Sequence, residues 1–245
     1  MKTSKLILID ILCCIAFLTL VGGVALAAGS TFTFSGEISD VEGAVVSGAE
    51  VSFYKTSNVK RPADFVSNRT GAEGKYQVVL PEGVYWAFAT LRRDGRKFGP
   101  LGLEDKHSGT PVEVEIGPDE ELLMDFVVMD LREATKKIQK KNDTLVRVSG
   151  RILDQKGSPV VMAYAMADTV KRFKEIPRYL SAWTDETGQY LLFLPKGRYY
   201  LGVLTGFPPD ADYSLTQELL VDDDRSGLDV ILSDELVKSR DVAPR

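Results

Sequence analysis

The chain has 245 residues, of which 44% are hydrophobic, and its 30 Lys and Arg against 35 Asp and Glu give a formal net charge of −5 at pH 7. That acidity lacks the basic footprint of a nucleic-acid binder, so no nucleic-acid partner is expected. His107 is the only histidine, which excludes a His-rich zinc centre and a histidine dyad.

Residues 1–28 describe delivery. Lys2 and Lys5 precede an apolar run over 11–20, Gly22 and Gly23 follow, and Ala25-Leu26-Ala27 offers the small-x-small pattern of a signal peptidase site. The expectation is a signal peptide over 1–28 and an exported chain, whether periplasmic, cell-surface or secreted. The alternative is an uncleaved anchor, since 11–28 is apolar throughout and near the ~17-residue lower limit for a bilayer span. Only then is a membrane a partner. Cys13 and Cys14 both lie in the run, so a cleaved chain has no disulfide, thiolate or cysteine metal ligand. Cleavage also removes Lys2, Lys5 and Asp10, taking the net charge from −5 to −6. What remains is long enough for two cores of ~100 residues each.

The next feature is a repeat. TGAEGKYQVVLPEGVYWAFA over 70–89 returns as TDETGQYLLFLPKGRYYLGV over 184–203, displaced by 114 residues. At the same displacement Ser35, Gly36, Ile38, Asp40, Gly43, Val46 and Ala49 are matched by Ser149, Gly150, Ile152, Asp154, Gly157, Val160 and Ala163. DFVV at Asp125 and DVIL at Asp229 are displaced by 104, so the first unit carries about ten extra residues after Tyr85.

Within each unit, FTFSGEI and LVRVSGRIL alternate apolar and polar residues as half-buried strands do. Asp40 to Gly43 and Asp154 to Gly157 give turns a side-chain acceptor and a residue tolerant of positive φ. YQVVL and YLLFL end at Pro81 and Pro195, and Gly83 and Gly197 complete those turns, so all four have structural roles. Tyr85 and Tyr199 follow two residues later, where a ring is buried while its hydroxyl bonds back to turn backbone. The fold class is therefore all-β: two tandem immunoglobulin-like β-sandwiches, over 29–129 and 145–233, joined by a short helical linker over 130–144. The linker has no Gly or Pro, places Leu131, Ala134 and Ile138 on one stripe, and is the most basic stretch of the chain. A flexible polar tail is expected over 234–245.

The spacings G-x-I-x-D-x-x-G, T-x-x-x-G-x-Y and L-P-x-G-x-Y resemble the carboxypeptidase regulatory-like domain, a small prealbumin-like (transthyretin-like) sandwich, present here over 32–128 and 145–232. The first unit departs with Gly71 where the second has Asp185. The resemblance implies an accessory role beside enzymes, receptors or surface assemblies, often linked to adhesion or to a carbohydrate-binding-like fold, without catalysis by the module itself.

Two functional readings stand. One is a non-catalytic binding or assembly protein that contacts a protein or cell-envelope component. The other is a carbohydrate-binding module, which needs Trp86, Trp183 or Tyr200 exposed in a row. The units differ most after the turn tyrosines, where RRDGRKFGPLGLEDKHSG over 92–109 faces TGFPPDADYS over 205–214. Arg92, Arg93, Arg96, Lys97 and Phe98 are the candidate binding residues of that loop, and Trp86 and Tyr200 a candidate stacking platform. A short Gly-Ser turn in place of 94–106 is expected to leave both units folded. His107 is taken as a solvated loop residue. Asp222, Asp223 and Asp224, near Asp210 and Asp212, are taken as solvated charge without EF-hand spacing. No catalytic residue, metal ligand or cofactor is assigned, and the chain is not expected to be an enzyme.

Overall fold

In the computed structural model the described residues are 30–118, 120, 122–131, 133–134, 144–210 and 212–233. The signal segment, most of the linker and the tail lie outside them. Two sets of strands follow each other. The first comprises β1 (Thr31–Asp40), β2 (Glu50–Tyr54), β3 (Phe65–Val66), β4 (Lys75–Pro81), β5 (Gly83–Leu91), β6 (Lys106–His107), β7 (Val112–Ile116) and β8 (Phe126–Asp130). The second comprises β9 (Leu145–Leu153), β10 (Tyr164–Asp168), β11 (Tyr179–Leu180), β12 (Gln189–Pro195), β13 (Gly197–Leu204), β14 (Gln217–Val221) and β15 (Val230–Ile231).

In the first half β4-β1-β8 forms one layer and β3-β2-β5-β7 the other; β12-β9-β15 and β11-β10-β13-β14 repeat the arrangement. The register carries the repeat residue for residue. Thr31 faces Pro81 and Leu145 faces Pro195; Tyr54 faces Trp86 and Asp168 faces Tyr200. Ile38 runs parallel to Phe126 as Ile152 does to Val230. The layers are sandwich-like because alternate residues turn inward: Tyr76, Val78 and Leu80 from β4, and Tyr190, Leu192 and Leu194 from β12, are buried. Each large side chain so buried contributes roughly 1.5–3 kcal/mol.

The two cores are filled differently. Phe34 and Phe53 meet edge to face at 5.6 Å in the first, whereas the equivalent positions in the second hold Val148 and Ala167.

The repeated motif residues turn out to be joints. Asp40 Oδ1 accepts the N–H groups of Glu42 and Ala44, Asp154 Oδ1 those of Lys156 and Ser158, and Gly43 and Gly157 adopt φ of 83° and 82°. Gly36 and Gly150 let the chain that enters the closing strand pass close. A Cβ at either would overlap the carbonyl oxygen of Met124 or Leu228, the same oxygens that accept the hydroxyls of Tyr76 and Tyr190 at 2.7 Å.

The first half alone contains β6. It pairs with β5 through Thr90 and His107 and with β8 through His107 and Met129, joining the two layers into one eight-stranded sheet. The all-β architecture holds, but a linker helix is not seen as an element. Leu131, Glu133 and Ala134 take helical conformation, with Asp130 Oδ1 accepting the Glu133 N–H at 2.8 Å, while 132 and 135–143 lie outside the described residues.

Candidate functional site

On β2 and β5 the residues that do not face the core form an outer face. Tyr54 and Phe88 stack there with centroids 5.6 Å apart and planes 7° from parallel, beside Ser52 and Thr90. The chain then leaves β5 at Leu91, and the next residues tie the loop to itself. The Arg92 guanidinium donates to the carbonyls of Gly99 at 2.8 Å and Pro100 at 3.2 Å and lies 4.0 Å from Asp105. Asp105 is 1% exposed, and its two oxygens accept the N–H groups of Arg93 and Gly102 at 2.8 Å. Burial works against the charge of Arg92, and Asp105 and Asp94 oppose that effect. The loop is thus closed by a buried ion pair before it enters β6.

Its tip meets the second half. The Arg96 guanidinium sits 4.3 Å from the centroid of the Trp183 ring, Phe98 packs edge to face on Phe207 at 5.3 Å, and the Trp183 backbone N–H donates to the Leu101 carbonyl at 2.9 Å. Lys60 Nζ reaches across as well, donating to the carbonyls of Pro177 and Arg178, each at 2.6 Å. Trp183 is 4% exposed and belongs to an apolar cluster with Tyr164, Met166, Leu204 and Leu215 on the outer face of β10 and β13. Its Nε1 has no hydrogen-bond partner among the described residues.

Where these parts fail to fill the junction, a cavity of about 250 Å³ remains. β2 and β5 give it Tyr54, Phe88 and Thr90; the loop gives Arg92, Lys97 and Phe98; Leu180 and Phe207 come from the second half. Lys60 and His107 also line it, and among the described residues no carboxylate does.

No protein-family model and no curated protein matches this chain. Among solved structures it is similar to a streptococcal ancillary pilin at 13% identity and a TM-score of 0.28, over 82% of this chain and 61% of that one. The Bacillus anthracis TIE protein aligns at 14% identity and a TM-score of 0.27, over 82% of this chain and 34% of that one. A DUF3823 family protein from Parabacteroides merdae aligns at 13% identity and a TM-score of 0.28, over 72% and 92%. The chain spans less than two thirds of the first two. Likenesses this low carry no argument about what the chain does.

The candidate residues of the loop separate into three groups. Arg92 is committed to the loop's own carbonyls, and Arg96 to Trp183 and to an ion pair with Asp94 at 3.2 Å, so both hold structure. Phe98 is half-buried against Phe207 and lines the cavity. Lys97 and Arg93 are exposed, and of these two only Lys97 lines the cavity. Trp86 and Tyr200 are half-buried on equivalent strand positions outside the cavity, Tyr200 with Lys171 Nζ at 5.0 Å from its ring. The aromatic row needed by a sugar platform is not formed, because Trp183 is buried under Arg96.

The turn tyrosines differ in their partners. The Tyr85 hydroxyl donates to the Pro81 carbonyl at 3.0 Å and its ring meets Phe65 edge to face at 5.8 Å, whereas the Tyr199 ring meets Tyr179, which stands where the first half has Phe65, edge to face at 5.7 Å.

His107 departs from expectation. It is half-buried in β6, paired on both sides, and burial pushes its imidazole below the usual range. Its Nδ1 accepts the Gly109 N–H at 3.1 Å, which assigns the proton of the neutral ring to Nε2. Asp222, Asp223 and Asp224 are exposed, and Asp224 accepts the Arg147 N–H at 2.8 Å. Among the described residues no His, Cys, Asp and Glu group could hold a metal, and no helix is long and apolar enough to cross a membrane. Tyr54, Phe88 and Thr90 were not singled out from the sequence, although continuing the alternation from Trp86 would have put Phe88 and Thr90 on the same outward face. Lys60 gave no signal, since its partners lie 117 and 118 residues away.

Proposed function

We propose that this chain is an exported, non-catalytic binding or assembly protein, periplasmic or at the cell surface, whose two sandwich-like halves present their junction to a protein or envelope component. The observation that supports this reading is a coincidence of position. The segment in which the two repeats differ most, 92–109, also carries the Arg96 and Phe98 contacts to the second half and part of the cavity lining. Scaffold positions are spent on turns and strand joints, with Asp40, Asp125, Asp154 and Asp229 all accepting backbone N–H groups. Within 92–109 the exposed Arg93 and Lys97 side chains are free of those duties, and such positions are where recognition is expected.

Co-sedimentation of the purified mature chain with isolated envelopes tests the reading. Saturable binding is expected, weakened by about tenfold in the double variant Arg93→Glu/Lys97→Glu, which reverses two exposed charges without touching the loop's internal ties. Absence of saturable binding, or unchanged binding by a folded double variant, would overturn it. Export is checked separately by intact mass: the mature chain is expected to begin at Ala28 or Gly29.

A further inference from the structure

We propose that the junction cavity binds a small organic anion with a flat apolar body, an aromatic carboxylate being the simplest form. This deepens the reading of the junction as the binding surface and rests on it.

Size comes first. At about 250 Å³ the cavity lies just below the ~300 Å³ at which sites for drug-sized ligands begin, so it suits a molecule of one or two rings. The walls then select the body. Phe88, Phe98 and Phe207 line the space together with Tyr54, and such rings accept a planar apolar partner by stacking or edge contact. Phe98 and Phe207 already stand 73° apart in edge-to-face contact, one from each half.

Charge selects the head group. Lys60, Arg92 and Lys97 line the cavity, and among the described residues no carboxylate joins them, in a chain whose net charge is −5. The three cations are not equally available. Arg92 gives its donors to Gly99 and Pro100 and has Asp105 at 4.0 Å, so it shapes the wall. Lys60 spends two donors on the Pro177 and Arg178 carbonyls. Lys97 is exposed and makes no ion pair among the described residues, which leaves its ammonium for a ligand. His107, with Nδ1 occupied by the Gly109 N–H, offers an Nε2–H donor. A carboxylate meets one free ammonium and a neutral N–H donor, whereas a cation meets the repulsion of Lys60, Arg92 and Lys97. Occupancy also bridges the halves, because Leu180 and Phe207 belong to the second and the remaining lining residues to the first.

Calorimetric titration of the mature chain with naphthoate, the neutral naphthol and cationic naphthylmethylammonium at neutral pH tests the proposal. Naphthoate is expected to bind one equivalent per chain, naphthol at least about tenfold more weakly and the ammonium not at all. Lys97→Glu is expected to weaken naphthoate by about tenfold or more and Lys97→Arg to restore most of the affinity. Lack of naphthoate binding up to about 10 mM, equal affinity for naphthol, or an unchanged Lys97→Glu variant would each overturn it. Envelope capture that is lost in Arg93→Glu/Lys97→Glu while naphthoate fails to bind would sink the ligand class and leave the junction reading standing.

Discussion

His107 is the residue where local chemistry and position diverge most. A solvated imidazole titrates near 6.5, but this one is set into β6 between two strands, and burial lowers its pKa. As pH falls through 6.5 the unfolded chain takes up the proton first, so stability is full above that pH and is lost progressively below it. Asp40, Asp64 and Asp229 carry hydrogen bonds that hold their carboxyls below 3.8, so their contributions fade only in more acidic solution. Because His107 is the only histidine, the two windows separate. Thermal melts of the wild type are expected to shift downward between neutral pH and the high carboxylate range, and His107→Gln to flatten that dependence. An identical pH slope in the variant would show that another group titrates there.

The 92–107 segment is the element that the repeat does not contain, and its construction explains why it is more than a surface insertion. Asp105 faces Arg92 with both side chains under a tenth exposed, and it also accepts two backbone N–H groups. Asp105→Ala leaves a buried guanidinium without its counter-charge and two amides without acceptors. The expected cost is about 3–5 kcal/mol, measured by denaturant unfolding. Replacing 94–106 by a Gly-Ser turn removes this pair, the Leu101 carbonyl that receives the Trp183 N–H, and the Lys106 end of β6. The sequence expectation that both units survive that exchange intact is therefore withdrawn: the first loses the strand that joins its layers, and the second loses cover over Trp183. A loop that left its protein equally stable when deleted would have to be solvated along its length, and this one is not.

At the scale of the whole molecule, the contacts that tie the halves among the described residues include the cation–π pair of Arg96 with Trp183, the edge-to-face pair of Phe98 with Phe207, and the hydrogen bonds donated by Lys60, Arg96 and the Trp183 backbone. The first two are each worth roughly 0.5–2 kcal/mol, which couples the unfolding of the two cores. Wild type is expected to unfold in one transition. Arg96→Ala/Phe98→Ala is expected to separate it into two and to red-shift the emission of Trp183 before the second core melts. A single unshifted transition in the variant would mean that the halves are held by other contacts. The same coupling bears on the cavity, since residues from both halves line it and its shape depends on their being held together.

The sequence by itself determined the repeated scaffold. Alternation over YQVVL and YLLFL, the Asp-to-Gly turns and the Pro-x-Gly turns act within a few residues, so pattern and turn chemistry fix strand, face and register locally. The displacement of 114 read from Thr70 and Thr184 accordingly reappears in the pairing of Thr31 with Pro81 and Leu145 with Pro195. Tertiary structure alone decided the fate of the residues that differ between the repeats. Arg96 and Phe98 carry the charge and apolar surface of a recognition loop, and nothing within several residues says that Trp183 and Phe207 wait to receive them. Lys60 meets Pro177 across 117 residues, and the half-buried His107 is paired with both β5 and β8. A side chain's neighbours at such separations follow from how two finished cores pack, and that packing energy is summed over many weak contacts that no short motif encodes.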